Sequence, residues 1–443
     1  MARFVFWLVI LTTTLTAAAA DDRHVVIITM DGFPEYVFRD PHAPIPTLRR
    51  LAAEGVAADG MRPVNPAITW PNHTTLVTGV KPEKHSVLFN GLLIREGSGK
   101  PNRIDMGADQ RELIKVPTLW DLAHAQGMRT AAVNWPCTKN SPTLDDCMPD
   151  VPAQYERTTP DLRKELIEAG IFPATKPGFG MLSPPQQDQL WTAAACYIIR
   201  RHQPNLLVVH LLLTDTIHHQ YGPQSNAAFS AMAVADYELH DILNALSDAG
   251  IRDKTTVIVT SDHGFARFTN LLQPNVLLRR EGISPGQVQI ITEGGCAFVY
   301  FNDSSSGWAD RITGIFKSRE GIADVIRPDA FPSLGLPTPD KNPRMGQLML
   351  TAKDGYSFGP GPFGEYVMSA PKAYTTGGHG YLSDNPRMEA IFVAAGRGIK
   401  KGAKLWKFDN TCVAPTAAKL LGYTLPGADG HVLNSILTDD VSH

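Results

Sequence analysis

The sequence predicts an α/β fold in which a mostly parallel central sheet is covered by helices on both faces. Three observations carry that expectation. "HVVIITMDG" (24–32), "LLVVHLLLTD" (206–215) and "TTVIVTSDHG" (255–264) are continuous apolar runs, the pattern of strands buried on both sides. Helical patterns lie between them, at Thr47–Val56, Thr118–Gly127 and Ala227–Ala249, and such alternation marks a doubly covered sheet. Each run ends in an aspartate, Asp31, Asp215 or Asp262, and in open α/β sheets ligands sit at the carboxyl ends of strands.

The remaining elements follow in order. "CAFVYF" (296–301) and "AIFVAAG" (390–396) read as further strands, and the Pro- and Gly-rich stretch 327–376 as irregular loops or a small insertion. The expected division is a leader at 1–20, an α/β core from 21–265 and 376–443, and a cap-like insertion at 266–375 within the same catalytic domain. The first residues, "MARFVFWLVILTTTLTAAAADD", combine a basic start, a short apolar segment and small residues ending at Ala20. That is the pattern of a secretory signal peptide cleaved near Ala20, which implies a secreted or periplasmic protein. The apolar part is short for a membrane anchor, and no later stretch reads as a stable membrane span. With 443 residues, 43% of them hydrophobic, a sizeable core is within reach. The net charge of -3 speaks against a nucleic-acid groove or a polybasic membrane patch. It leaves room for a small anionic substrate, because bound cations supply local positive charge. Among the five cysteines, Cys137 and Cys147 flank a short loop that suits a local disulfide, while Cys196 and Cys296 sit in apolar surroundings.

The polar residues at the strand ends suggest a cation site. In "DTIHHQYGP", Asp215 and His219 share a helix face at the i, i+4 spacing, and His218 is the rival ligand at i+3. "SDHG" adds Asp262 and His263, which serve one site only if the backbone turns, as Gly264 permits. "GGHGY" sets His379 between glycines. Singly, each motif is as readily a polar turn. Together, Asp and His without Cys suit zinc, with manganese second.

"TMDGF", "TWPNHTTLVTG", "DTIHHQYGP", "SDHG" and "GGHGYLSDNPRMEAIFVAAG" resemble, in order, the motifs of the type I phosphodiesterase/nucleotide pyrophosphatase family of the alkaline phosphatase superfamily. The resemblance runs from about Asp31 to Gly396. It implies an alkaline phosphatase-like fold and two divalent metal ions, most simply zinc. Asp31, Thr69, Asp262 and His263 match the ligands of one ion, and Asp215, His219 and His379 those of the other. The family's "x-x-Gly-Pro" selects His219 over His218, and at His218 the family often has Gly. Thr69 matches the nucleophile that forms a phosphothreonine. Read alone, Thr69 is as well a helix cap ahead of Pro71. Asn90, 21 residues on, matches a donor to a phosphoryl oxygen, a form of transition-state stabilisation; without the resemblance, Asn90-Gly91 reads as a turn.

Substrate class follows from the same comparison. Monoesterases of the superfamily carry a Lys-x-Arg pair, whereas "NWPCTKNS" offers Lys139 without the Arg, so a diester or pyrophosphate is expected. Nucleotide-handling members stack the base between an aromatic residue after the nucleophile and a tyrosine before the Asp-x-x-x-His motif. Trp70 matches the first position and His210 stands at the second. The competing readings are a phosphonate hydrolase, a phosphomonoesterase, and a catalytically silent binding protein on the same fold.

Overall fold

The structure is a computed structural model and describes residues 22–303, 307–370 and 377–442. The expected leader, its cleavage site near Ala20 and the boundary at residue 376 lie outside the described residues. Among the described residues no helix is long and apolar enough to cross a membrane.

Seven strands form the main sheet: β1 (His24–Met30), β2 (Val56–Ala57), β3 (Thr130–Trp135), β4 (Asp146–Pro149), β5 (Leu206–Leu211), β6 (Thr255–Thr260) and β7 (Phe392–Gly396). Their lateral order is β2-β7-β6-β1-β5-β3-β4. β1 lies at the centre, parallel to β5 through Ile27↔Val208 and to β6 through Ile27↔Ile258. β7 and β2 close one edge in antiparallel pairing. The sheet is therefore mixed but mostly parallel, as expected.

Successive side chains on a strand point to opposite faces, and β1 shows why both faces need cover. Val26, Ile28 and Met30 face one layer, packed by α1 (Pro46–Glu54), α4 (Pro184–His202) and α6 (Asn226–Asp248) through residues such as Leu48, Ile198 and Leu239. Val25 and Ile27 face the other, packed by α3 (Leu119–Ala125) and α7 (Val413–Leu421) through Trp120, Val413 and Leu421. Two further helices, α2 (Thr69–Thr78) and α5 (Leu213–Tyr221), carry functional side chains. Local signals start these helices where they are needed. A capping box from Thr118 and Asp121 opens α3, and the Ser225 hydroxyl accepts the Ala228 N–H at the head of α6.

Three expectations need correction. The apolar run 206–215 is not one strand: the chain leaves the sheet after Leu211 and enters α5, so Asp215 lies in a first helical turn. The buried Asp188 carboxylate causes the switch, accepting the N–H groups of Leu212 (3.0 Å) and Leu213 (2.9 Å) that would otherwise go unpaired. Residues 327–376 are not simply irregular. They contribute strands Leu348–Ala352, Gly355–Phe358 and Val367–Ser369, with the Pro and Gly residues marking the turns between short strands. Leu348–Ala352 belongs to a four-stranded antiparallel sheet with Val288–Glu293, Cys296–Phe301 and Ile322–Ile326. Finally, all five cysteines are buried free thiols; Cys137 and Cys147 are not bonded, and the Cys147 thiol turns to the Thr138 carbonyl.

Candidate two-cation site at the strand ends

The carboxyl ends of β1 and β6 lie side by side, and each sends its chain through a tight bend. Gly32, at φ +62, turns the chain just after Asp31 and donates its N–H to Asp262 Oδ1 at 3.1 Å. A Cβ there would lie 2.9 Å from the Phe265 ring. Gly264 has a different reason to be glycine than the one expected: its φ is outside the left-handed region, and a Cβ would lie 2.1 Å from the Arg387 carbonyl. Close approach of two backbones, not the turn itself, selects it.

These bends gather an inner cluster. His263 Nε2 lies 3.1 Å from Asp262 Oδ2, 3.5 Å from Asp31 Oδ1 and 3.4 Å from Thr69 Oγ. The Asp31, Asp262 and His263 side chains are fully buried. An outer cluster forms beside it. α5 presents Asp215 and His219 on one face, with His219 Nε2 3.4 Å from Asp215 Oδ1. Gly377–Gly378 pairs with Ala266–Arg267 and delivers His379, whose Nε2 lies 3.7 Å from the same oxygen. Ligand atoms of Asp215, His219 and His379 lie within 4.8 Å of one another, as do those of Asp31, Asp215 and His263. Asp215 is common to both sets. His218 is in neither: its ring is buried against Phe265, with Nδ1 donating to the Gly32 carbonyl at 3.0 Å.

Two features fit this donor set to cations. A carbonyl oxygen can only accept, so the Nδ1 atoms of His263, His379 and His219 are donors, to Gly264 (3.0 Å), Ala67 (3.0 Å) and Gly377 (3.2 Å). That leaves all three Nε2 atoms as lone pairs aimed at the carboxylates. The second feature is a set of buried carboxylate oxygens without any hydrogen-bond partner: Asp31 Oδ1, Asp215 Oδ1 and Asp262 Oδ2. Lone pairs converging on unpaired anionic oxygens call for positive charge. The electrostatics agree. Burial, then the neighbouring Asp262 and Asp215 charges, push the Asp31 carboxyl well above the usual range. Asp262 goes the other way: burial opposes its charge, but its contacts, the Gly32 N–H among them, hold that carboxyl low. Burial drives His379 down to about 3 and His263 also down, so both rings are neutral, the form that ligates.

Thr69 opens α2, and the residue capping that helix is Ile68, not Thr69. The Thr69 hydroxyl faces His263 instead. The segment is pinned from several sides. Asn72 donates to the carbonyls of Pro66 and Ile68 and accepts the Val64 N–H. His73, one helical turn after Thr69, donates to the Thr69 carbonyl at 3.0 Å and meets the Thr29 hydroxyl through Nε2 at 2.8 Å. Asn90 Oδ1 accepts the Trp70 N–H at 2.9 Å, which orients its amide group beside Thr69. Asn72 and His73 were missed from the sequence; their i+3 and i+4 spacing from Thr69 is the signal that was present.

Two expected substrate contacts are placed otherwise. His210, on the central strand β5, is fully buried: its Nδ1 contacts the Asn134 carbonyl and its Nε2 contacts Asp31 Oδ2, each at 2.9 Å, so it has no open face for stacking. Trp70 is 3% exposed, packed with Val87, Leu92 and Leu113, and its indole donates to Asp150 at 3.3 Å. A buried strand and a helix start offered packing partners that pattern alone could not reveal. Lys139 is held by Asp109 at 2.9 Å and by the Gly107 carbonyl, away from the clusters.

Two cavities flank the site. A cleft of about 530 Å³ with a mixed lining is bounded by Asn134, Asp150, Gln154, Phe179 and Trp191. Hydrogen bonds from Trp191 to Gln154, Gln154 to Asn134, and Asn134 to the His210 carbonyl link it to Asp31. Burial pushes the Asp150 carboxyl up to about 6. On the other side, a chamber of about 1170 Å³ begins at His219 and Gly377–Gly378 and runs along Phe268, Ile283 and Phe358.

An α/β sheet whose strand ends hold two linked carboxylate–imidazole clusters, with a threonine hydroxyl against the inner one, defines a candidate dication centre of the kind that handles anionic esters. The family model described as "Type I phosphodiesterase / nucleotide pyrophosphatase" matches residues 25–382. The chain belongs to that family. An ectonucleotide pyrophosphatase/phosphodiesterase of Caenorhabditis elegans is 24% identical over 392 residues, covering 87% of this chain and 45% of the relative. Ectonucleotide pyrophosphatase/phosphodiesterase family member 3 of Bos taurus is 22% identical over 87% of this chain and 40% of its own length. The chain thus spans less than half the length of these two relatives. The bis(5'-adenosyl)-triphosphatase enpp4 of Xenopus laevis is 21% identical over 93% of this chain and 80% of its own. Among solved structures, murine ectonucleotide pyrophosphatase/phosphodiesterase 5 superposes with a TM-score of 0.72 at 19% identity, covering 94% of this chain and 100% of that one. At that identity the likeness establishes the fold.

Proposed function

We propose that the chain is a two-metal phosphodiesterase that hydrolyses phosphodiester or pyrophosphate bonds, nucleotide-type substrates first among them, through a phosphothreonine at Thr69. The observation that carries this reading is the convergence of three histidine Nε2 lone pairs and three unpartnered carboxylate oxygens beside one threonine hydroxyl. Asp31, Asp262, His263 and Thr69 would hold one ion and Asp215, His219 and His379 the other, zinc by the chemistry of the donors. Zinc there supplies Lewis acidity and fixed positive charge within an otherwise anionic pocket.

The chain's own residues do the rest. His73 and Asn72 fix the start of α2, so that the Thr69 hydroxyl is held against the inner cluster without searching rotamers. Its oxygen bonds to phosphorus as the ester oxygen opposite departs; the hydroxyl proton passes to solvent and the departing alcohol takes one up. Water then cleaves the phosphothreonine and restores Thr69. Asn90, with its carbonyl committed to Trp70, has its amide N–H groups free to donate to a phosphoryl oxygen as charge develops there. The nucleoside occupies the mixed cleft beside Asp150 and Phe179 rather than a slot between Trp70 and His210. That murine protein 5 has been solved, as an inactive variant, in complex with AMP supports a nucleotide reading, and the relatives' names as ectoenzymes and as a venom phosphodiesterase of Naja atra support secretion. Lys139, bound to Asp109, supports the diester over the monoester.

The test is metal analysis of the purified protein together with turnover of a thymidine 5'-monophosphate nitrophenyl diester and of nitrophenyl phosphate. About two zinc ions per chain, turnover of the diester far above the monoester, and loss of turnover in Thr69→Ala even at saturating zinc are expected. A dominant monoester rate overturns the diesterase reading, and turnover surviving in Thr69→Ala overturns the nucleophile.

A further inference from the structure

The chamber beyond the outer cluster is not used by the reaction as derived, and its lining is informative. Its walls are Leu271, Leu278, Ile283, Val288 and Ile290, drawn from strand Ala266–Leu272, helix Pro274–Arg280, strand Val288–Glu293 and the connection before that strand. Several of the polar side chains on those walls are turned to the protein, while Arg279, Thr292 and Ser357 also line the chamber. Gln289 accepts the Asn102 N–H at 2.7 Å and donates to the Asn102 carbonyl. Asn275 donates to the carbonyls of Ile290 and Pro360, and Ser284 to Gln287. Burial pushes the Glu293 carboxyl up to about 8, which favours its uncharged form at neutral pH. A nucleobase would meet few free hydrogen-bonding partners on these walls, whereas an aliphatic chain needs none. Position adds the second argument. His219, 42% exposed, lies at the chamber's inner end, within the outer cluster. Thr69 lies against the inner cluster, so in-line departure directs the leaving group towards the outer one and into the chamber. At the far end stands Phe363, 66% exposed under the Arg279 guanidinium, an apolar rim to the opening.

We propose that this chamber binds a long aliphatic chain carried by the leaving group, so that the preferred substrate is a nucleoside phosphoester of an aliphatic alcohol, polar at the retained end and apolar at the departing one. The inference rests on the proposed diesterase reading and is separable from it. In the step itself the Thr69 oxygen–phosphorus bond forms and the phosphorus–oxygen bond to the alcohol breaks. The alcohol leaves with a proton from solvent, and water releases the nucleoside monophosphate.

The experiment uses thymidine 5'-monophosphate esters of methyl, butyl, octyl and dodecyl alcohols below their aggregation limits, with release of thymidine monophosphate as readout. KM is expected to fall by about tenfold or more from methyl to dodecyl, with kcat nearly constant, because burial of methylenes is binding shared by ground and transition states. Leu271→Trp, which narrows the chamber, is expected to flatten that series. Independently of turnover, the Thr69→Ala protein is expected to bind a dansyl-labelled undecanoic acid and to release it to dodecyl phosphate but not to methyl phosphate. KM independent of chain length, or probe binding that Leu271→Trp leaves unchanged, overturns the chamber proposal while leaving the diesterase standing. No release from any ester, including the nitrophenyl diester, sinks the diesterase reading instead; probe binding in Thr69→Ala then still decides the chamber.

Discussion

The inner and outer clusters are built from the same two residue types and differ in what holds them. The inner one is set on the two central strands, with Asp31, Asp262 and His263 wholly shielded from solvent. Its second contacts are also buried: His73, His210 and the Gly32 N–H. The outer one is mounted on a helix and a glycine loop, and its side chains remain partly open, Asp215 at 13%, His219 at 42% and His379 at 12%. The difference separates two duties. A rigid, dry cluster can fix a nucleophile to within a few tenths of an ångström, while a half-open one can admit a substrate and let a product go.

The largest expected effect sharpens this contrast. Thr69→Ala removes the proposed nucleophile from the rigid side and is expected to reduce kcat by about 10³-fold or more even at saturating zinc, measured by steady-state kinetics beside metal analysis. Retained turnover would mean that the inner cluster does not position the attacking group. Next in size, Asn90→Ala deletes one donor and is expected to cost about 10²-fold in kcat with little change in KM. A change confined to KM would make Asn90 a ground-state contact.

Metal removal compares the clusters directly. Graded chelation is expected to withdraw the outer ion first, and His219→Ala is expected to lower affinity at one site by about tenfold to a hundredfold while the other stays filled. Asp262→Asn is expected to lose the inner ion and to lower the melting temperature, because a carboxylate that would hold the ion is gone and with it the stability that ion binding adds to the fold. Simultaneous release of both ions in either variant would break the distinction, and the shared Asp215 would be the reason.

The smallest effect concerns the mounting of α5. Asp188 holds the start of that helix, and Glu238, buried with both carboxylate oxygens unpartnered, lies close enough for the Asp188 charge to act on it. Burial, then Asp188, raises the Glu238 carboxyl to about 9. A carboxyl raised on folding contributes stability that is fully present below its unfolded value and is lost as pH rises towards the folded one. Unfolding midpoints should therefore decline between about pH 4 and pH 9 through this group, and Glu238→Gln should raise the melting temperature at pH 8 by a few degrees while changing little at pH 4. An equal shift at both pH values would assign the effect to packing.

Much of this was legible in the sequence, for physical reasons that also mark where reading fails. Doubly buried strands advertise themselves as apolar runs ending in aspartates, so the sheet and the acids at its edge could be read directly, whereas spacing left His218 beside His219 and only the family resemblance chose between them. Leu212 and Leu213 misled because an apolar run does not say where a strand becomes a helix; that decision belongs to Asp188, remote in the chain. His210 and Trp70 misled for a related reason. Their residue types suit a base, but whether a ring faces a cavity or the protein depends on β1 and Asp150, which no local pattern encodes. The short strands at 348–358 were hidden among the prolines and glycines that separate them.

Three carbonyls, those of Ala67, Gly264 and Gly377, each hold the Nδ1–H of one cluster histidine. They come from three separate stretches of the chain, and they leave Nε2 as the lone-pair nitrogen once the protein folds. On the proposed reading, the rings would need neither flip nor exchange a proton to receive a cation. Loading would then be a question of supply and access, with the donor geometry laid down in folding.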